Sequence, residues 1–212
     1  MPLPMLLDEQ MNTGKPAMIE PLSVEQYHQM IATGILREGD SIELIDGILI
    51  RKDRADTGGD PMSYGVRHGF AVVGMQECLA DVKGAGCHVR SQVPVTIGGT
   101  QEPEPDIGVI RGPRRAFADR HPGPADIVAL IEVSDSSLTF DRTTKQRLYA
   151  NAAIPIYWIV NLVDKQIEVY HDPLPGDGKY ASRTDYQVGQ VATLVLGPGA
   201  IIEVAVADVL PG

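Results

Sequence analysis

The sequence predicts an α/β fold: a mixed central β-sheet flanked by helices, with an added β region at the C-terminal end. Three observations carry this. Apolar residues recur at helical spacing in three separate stretches. Short apolar runs bounded by Gly, Pro and Asp read as strands between them. The resulting order is helix, hairpin, helix, strands, helix, strands, which suits a sheet with helices on its faces.

Residues 1–20 show no sustained period and read as a loose arm before a single domain over 21–212. Ser23-Val24-Glu25-Gln26 fits a capping box, a hydroxyl at the N-cap answered by an amide three residues on. Val24, Tyr27, Met30 and Ile31 continue that helix, and Gly34 ends it. Asp46-Gly47 between Ile42–Ile45 and Ile48–Ile50 is a hairpin turn signal. Residues 51–64 are polar and Gly/Asp-rich, hence a loop. Val72, Met75, Leu79 and Val82 mark a second helix from Val66 to Val82, closed by Gly84 and Gly86. Strands are expected at 87–91, 93–97, 106–110 and 127–133, with a Pro/Gly/Arg loop at 111–125. A third helix is expected from Asp141 to about Ala152. Ile156–Asn161 and Gln166–His171 then read as a hairpin, followed by further strands to Val209.

The chain of 212 residues carries 28 acids against 18 bases, a net charge of −10, which excludes a basic footprint over the whole surface. Any nucleic-acid contact needs a local basic patch or metal ions in an acidic site. No apolar run approaches the ~18–20 residues that span a bilayer. The first residues lack a basic signal-peptide start. Two cysteines make neither a disulfide framework nor a zinc spacing. A reduced cytoplasmic protein with no membrane partner is the expectation.

Three acids stand on apolar strands: Glu43, Asp106 and Glu132. A buried carboxylate is costly unless paired or bound to a cation. Acids converging at one sheet edge would be neutralised by a hard divalent ion such as Mg²⁺ or Mn²⁺. The alternative is three unrelated acids at wet strand ends, and the pattern alone leaves both open.

Pro105-Asp106, followed by a strand carrying Glu132, resembles the signature of the PD-(D/E)XK nuclease superfamily. More closely, the chain resembles the restriction-endonuclease-like family within it that is abundant in cyanobacteria. The matching residues are Glu43-Leu44-Ile45-Asp46-Gly47, His68, Gln92-Val93-Pro94, Glu104-Pro105-Asp106-Ile107 and Glu132-Val133-Ser134-Asp135-Ser136-Ser137. They continue with Asp141-Arg142-Thr143-Thr144-Lys145, Leu148-Tyr149-Ala150 and Ile154-Pro155-Ile156-Tyr157-Trp158-Ile159-Val160. The set runs in order over about residues 20–172. The resemblance implies a restriction-endonuclease-like core and metal-dependent hydrolysis of phosphodiester bonds, in DNA. It implies that Asp106, Glu132 and the Val133 carbonyl hold Mg²⁺ or Mn²⁺, with Glu43 as third acid. The superfamily's lysine, two residues after the Glu, is Ser134 here. Lys145, matching a lysine that the family carries on the following helix, would take its place.

The remaining residues keep two readings each. His68 is a helper near the phosphate or a hydrogen-bonded structural histidine. Gln92 orients a water or ligand, or is an ordinary strand-end amide. Asp141 is the N-cap of its helix or an accessory ligand, and its place four residues before Lys145 also suits it to orient that amine. Tyr149 is core or site wall, and Tyr157 and Trp158 are packing. His28, His88, His121 and His171 share no ligand spacing, so no zinc site is expected. Arg111, Arg114, Arg115, Arg120 and His121 form a phosphate-contacting patch directly after the Asp106 strand, or a solvated loop. A homodimer fits an enzyme that cuts two strands. Two rivals remain: a binding or regulatory protein on a nuclease fold without catalysis, and a hydrolase of small phosphoesters.

Overall fold

The structure, a computed structural model, describes residues 20–37, 40–52 and 65–212. The arm expected at 1–20, save its last residue, and most of the loop expected at 51–64 lie outside the described residues. Among the described residues no helix is long and apolar enough to cross a membrane.

Helix α1 (Val24–Ala32) starts on the expected capping box: Gln26 N donates to Ser23 Oγ at 3.1 Å and Ser23 N to Gln26 Oε1 at 2.8 Å. Strands β1 (Ile42–Ile45) and β2 (Ile48–Arg51) form the expected hairpin. Asp46 and Gly47 both take positive φ, 52° and 71°, as a type I′ turn requires. Gly47 has a second constraint, because a Cβ there would lie 2.3 Å from Pro21 Cβ. Tyr27 OH donates to the Ile42 carbonyl at 2.8 Å, seating α1 on this hairpin.

The central sheet holds β3 (Cys87–Ser91), β4 (Ile107–Arg111), β5 (Ile127–Ser134), β6 (Ile156–Asn161), β7 (Gln166–Leu174) and β8 (Lys179–Gln187), in that order. Only β5 and β6 run parallel, so the sheet is mixed. Alternate residues of a strand face opposite sides. On one face Ile107, Val109, Ile131, Trp158 and Val169 pack with helix α2 (Val66–Cys78) and the hairpin of β9 (Val191–Gly197) and β10 (Ala200–Ala205). A short helix at Val206–Val209 closes this layer. Gly74 of α2 meets it so closely that a Cβ would lie 2.6 Å from the Asp208 carbonyl oxygen. On the other face Leu130, Tyr157, Ile159 and Tyr170 pack with Leu148 and Tyr149.

Three expected elements differ. Residues 93–97 form no strand. They run beside 101–106 through only a few bonds, Gln92 N to the Asp106 carbonyl, Val95 N to Pro103 and Ile97 N to Gln101. Pro94, Pro103 and Pro105 have no N–H to offer a ladder. The second helix ends at Cys78 and gives way to a 3₁₀ turn at Ala80–Ala85. The third helix starts earlier than Asp141. Leu138–Phe140, a π-turn at Asp141–Lys145 and Gln146–Asn151 follow without a break, called α3 below.

Candidate active site

Glu132 stands on β5 in alternation with Ile131 and Val133, and so faces α3 with Leu130. Lys145 and Tyr149 of α3 descend on it. The Lys145 amine donates to Glu132 Oε1 at 3.1 Å and to Glu43 Oε2 at 2.7 Å. Tyr149 OH donates to the same Glu132 Oε1 at 2.8 Å. Lys145 is 1% exposed, so its stem is wholly inside and only the carboxylates balance its charge. Burial alone would drive the amine's pKa down, but Glu132, Glu43 and Asp141 outweigh it and hold the group charged well above its ordinary value. Burial would likewise push Glu43 up, yet Lys145 and Lys52 hold it below the usual carboxylate range.

Asp106 ends the irregular stretch before β4. Its Oδ2 accepts from Val133 N at 2.8 Å and lies 3.1 Å from His68 Nε2 of α2. Its own N–H donates to Glu132 Oε2 at 3.2 Å. Glu132 thus turns one oxygen to the lysine and the other to Asp106. Burial would raise the Asp106 pKa, but His68, Lys52 and the Val133 N–H hold it below the ordinary value. In an extended strand the N–H and C=O of one residue point to the same side. The Val133 carbonyl therefore faces the Asp106 side, as its N–H does. Glu104 N donates to Glu43 Oε2 at 3.0 Å, and Lys52 binds the Glu104 carbonyl, so the Glu102–Asp106 strap and the hairpin are fastened to the acids.

Glu43 reaches the β5 acid through Lys145, whose amine lies between Glu43 and Glu132 and bonds both. One expectation about these residues is corrected. Asp141 is neither an N-cap nor hydrogen-bonded to Lys145. It lies one turn inside α3, where Oδ2 accepts from Ser134 Oγ and Ser137 Oγ, both at 2.6 Å. Burial, then the Glu132 charge, pushes its pKa up to about 7. The π-turn shifts the helix by one residue, with Gln146 N bonding the Asp141 carbonyl five residues back, and leaves both Asp141 and Lys145 inward.

Gln92 sits at positive φ (54°) and bonds Asp106 only through its backbone N–H. The arginine patch is not beside the acids. Asp106 stands just before β4 and Arg111 at its far end, about 16 Å apart at ~3.3 Å per residue. Arg114 and Arg115 are exposed on a 3₁₀ turn, whereas Arg120 pairs with Asp126 at 2.7 Å and lies over the Phe117 ring. Besides Lys145, the basic groups that reach the acids are Lys52, 3.9 Å from Glu43 Oε2, and His68, 3.1 Å from Asp106 Oδ2. No motif in the sequence marks Lys52 or the Tyr149 hydroxyl as part of the site. For Tyr149 the signal was its place one turn beyond Lys145.

The histidine spacing predicts no shared ligand site, yet two of the histidines meet in space. His28 of α1, Glu102 of the strap and His121 bring one ligand atom each within 4.8 Å of the others, a cluster capable of coordinating a divalent metal. Their sequence separations of 74 and 19 residues hid it, since tertiary contact alone assembles the group.

The mixed sheet, the strap-borne Asp106 facing the β5 acid, and the lysine above them define a PD-(D/E)XK-like nuclease fold. A family model described as "Uma2: Putative restriction endonuclease" matches residues 24–205, and the chain belongs to that family. The crystal structure of "a putative nuclease belonging to DUF820" from Anabaena variabilis ATCC 29413 superposes with a TM-score of 0.65 over 89% of this chain and 97% of that one, at 14% identity, a likeness of fold. No curated protein matches.

Proposed function

We propose that the chain is a metal-dependent endonuclease that hydrolyses phosphodiester bonds in DNA, with Asp106, Glu132 and the Val133 carbonyl holding Mg²⁺ or Mn²⁺. The observation that carries this reading is the Lys145 amine, buried between Glu43 and Glu132 on the oxygen of Glu132 that Asp106 does not use.

The residues fit such an ion. Every proposed donor is a hard oxygen, and among the described residues the Asp106 carboxylate takes its two hydrogen bonds on Oδ2. When bound, the cation supplies an activated water and polarises the phosphoryl oxygen. The chain's own groups do the rest. His68 and Val133 N fix the Asp106 carboxylate, and Tyr149 fixes Glu132. Lys145, held charged, stabilises negative charge developing on the phosphoryl group or orients the attacking water. Glu43 is a positioning residue that holds the amine. The exposed Arg114 and Arg115 supply phosphate contacts away from the reacting bond, and a homodimer in the cytoplasm would present two such sites.

Plasmid and single-stranded DNA, incubated with pure protein and Mg²⁺ or Mn²⁺ against EDTA, test the reading. Metal-dependent cleavage that Asp106→Asn and Glu132→Gln abolish supports it. DNA binding by wild type without cleavage at any metal concentration overturns it in favour of a binding protein on this fold.

A further inference from the structure

We propose that His28, Glu102 and His121 form a second metal site, separate from the Asp106–Glu132 acids, that takes a zinc-class transition ion and clamps α1 and the 111–126 loop to the strap leading to Asp106. Two imidazoles and one carboxylate, with a position left for water, are a donor set that borderline ions favour over Mg²⁺.

The geometry supports each part. Glu102 is 2% exposed, and its two oxygens have different roles. Oε2 accepts from Thr96 Oγ1 at 2.8 Å, which fixes the carboxylate as an outer partner does in metal sites. Oε1 lies 2.6 Å from His28 Nε2. His121 Nδ1 is buried with no hydrogen-bond partner, a group that a protein seldom leaves unsatisfied. Bond lengths of about 2.0–2.2 Å to zinc set tetrahedral ligand atoms about 3.3 Å apart. The three atoms, all within 4.8 Å, reach that spacing through small side-chain rotations, the easiest at His28, which is 47% exposed. A cleft of about 640 Å³ lined by Ser23, Glu25, His28, Thr96 and Gly98 opens beside His28.

The three ligands come from pieces that meet through a few backbone bonds, Val24 N of α1 donating to the Gly99 carbonyl at 2.8 Å. Thr96 N donates to the Pro122 carbonyl, and Glu102 exchanges backbone bonds with Leu44. Four residues beyond Glu102 stands Asp106, and beside Leu44 stands Glu43. An ion here ties α1, the strap and the arginine-bearing loop together.

Chelator-stripped full-length protein, titrated with Co²⁺ and then with Zn²⁺, tests the site through the visible ligand-field bands of bound Co²⁺. We expect intense bands of a four-coordinate site that saturate at one equivalent of Co²⁺ and are displaced by one equivalent of Zn²⁺, any Co²⁺ on the all-oxygen Asp106–Glu132 site adding only weak bands. Thr96→Val should weaken binding about 10–100-fold, and His28→Ala or His121→Ala should weaken it further. Asp106→Asn and Glu132→Gln should leave the intense bands unchanged, which separates this site from the proposed nuclease centre. His28 is half exposed, so circular dichroism should show His28→Ala folded. A folded His28→Ala that binds Co²⁺ as tightly as wild type overturns the proposal. So do intense bands lost only with Asp106→Asn, or folded wild type that develops none in excess Co²⁺.

Discussion

Lys145→Met isolates the charge at the centre of the site. Methionine keeps most of the stem's volume, so packing against Tyr149 survives, and what disappears is the ammonium between Glu43 and Glu132. Both acids are nearly inaccessible, at 1% and 3% exposure, so water cannot take its place. Removing one partner of such a buried pair costs about 3–5 kcal/mol. That is a large part of the ~5–15 kcal/mol typical of a folded domain. For a chain of this length it lowers Tm by about 6–20 °C. Denaturant titration reads the loss directly. Mg²⁺ should then stabilise the variant more than wild type, because a divalent ion at Asp106 and Glu132 meets a site with one cation fewer. Single-turnover plasmid cleavage, run well below the variant's Tm, should fall about 10²–10³-fold, as when one transition-state donor is removed. Cleavage within about threefold of wild type would remove Lys145 from the chemistry. Unchanged stability would refute the charge argument itself.

Other consequences are as direct. Asp141 holds a proton in the folded chain up to about pH 7 that the unfolded chain releases near 3.8. Stability should therefore fall as pH rises across that window and level off above it, by at most about 4 kcal/mol. Asp141→Asn should flatten the dependence and raise stability at pH 8, read by urea midpoints at pH 5 and 8; an unaltered pH profile would show that Asp141 ionises normally. Tyr149→Phe removes a buried hydrogen bond to a charged oxygen and should cost about 1.5–3 kcal/mol, whereas a loss below measurement would mean that Lys145 alone secures Glu132. Replacing Arg114 and Arg115 together by Ala should reduce the slope of log affinity for DNA against log salt by about 1.8, and an unchanged slope makes the loop merely solvated. Gly74→Ala gains helix propensity but drives a Cβ to 2.6 Å from the Asp208 carbonyl, so the thermal midpoint should fall; a rise would show the C-terminal helix yielding.

Much of this was legible in the sequence because it rests on local chemistry. The capping box at Ser23, the Asp46-Gly47 turn and the apolar strands around Glu132 are each specified by neighbours within a few residues. The ordered set of matched residues carried the topology that local chemistry cannot. What escaped has non-local causes. Residues 93–97 look like a strand until the prolines of the opposing segment are counted, and that opposition is a tertiary fact. The sequence points to a start of α3 at Asp141 because that residue is a good capping type, while the π-turn that buries it leaves no period to read. The His28–Glu102–His121 group joins three pieces no motif links. The arginine loop follows the Asp106 strand in sequence but is carried away by that strand's own length.

Under the proposed function, the division of Glu132 between its two oxygens would let a lysine thirteen residues away stand in for one at position 134. A lysine at 134 would project from the strand that carries the acid. Here Ser134 spends its hydroxyl on Asp141, and the cation comes from the helix above. It meets Oε1, on the side of Tyr149 and Glu43, and leaves Oε2 facing Asp106. A metal shared by Asp106 and Glu132 therefore need not displace the amine, nor the amine the metal. The cost is a lysine with no access to water, and Glu43 answers it: without that second carboxylate, one acid shared with Tyr149 would have to balance a fully buried ammonium. Glu43 belongs to the site through Lys145 rather than through the ion, so Glu43→Gln should lower stability and turnover while leaving Mg²⁺ affinity, measured by calorimetry on the folded variant, close to that of wild type. A variant that loses Mg²⁺ binding as completely as Asp106→Asn would instead make Glu43 a ligand.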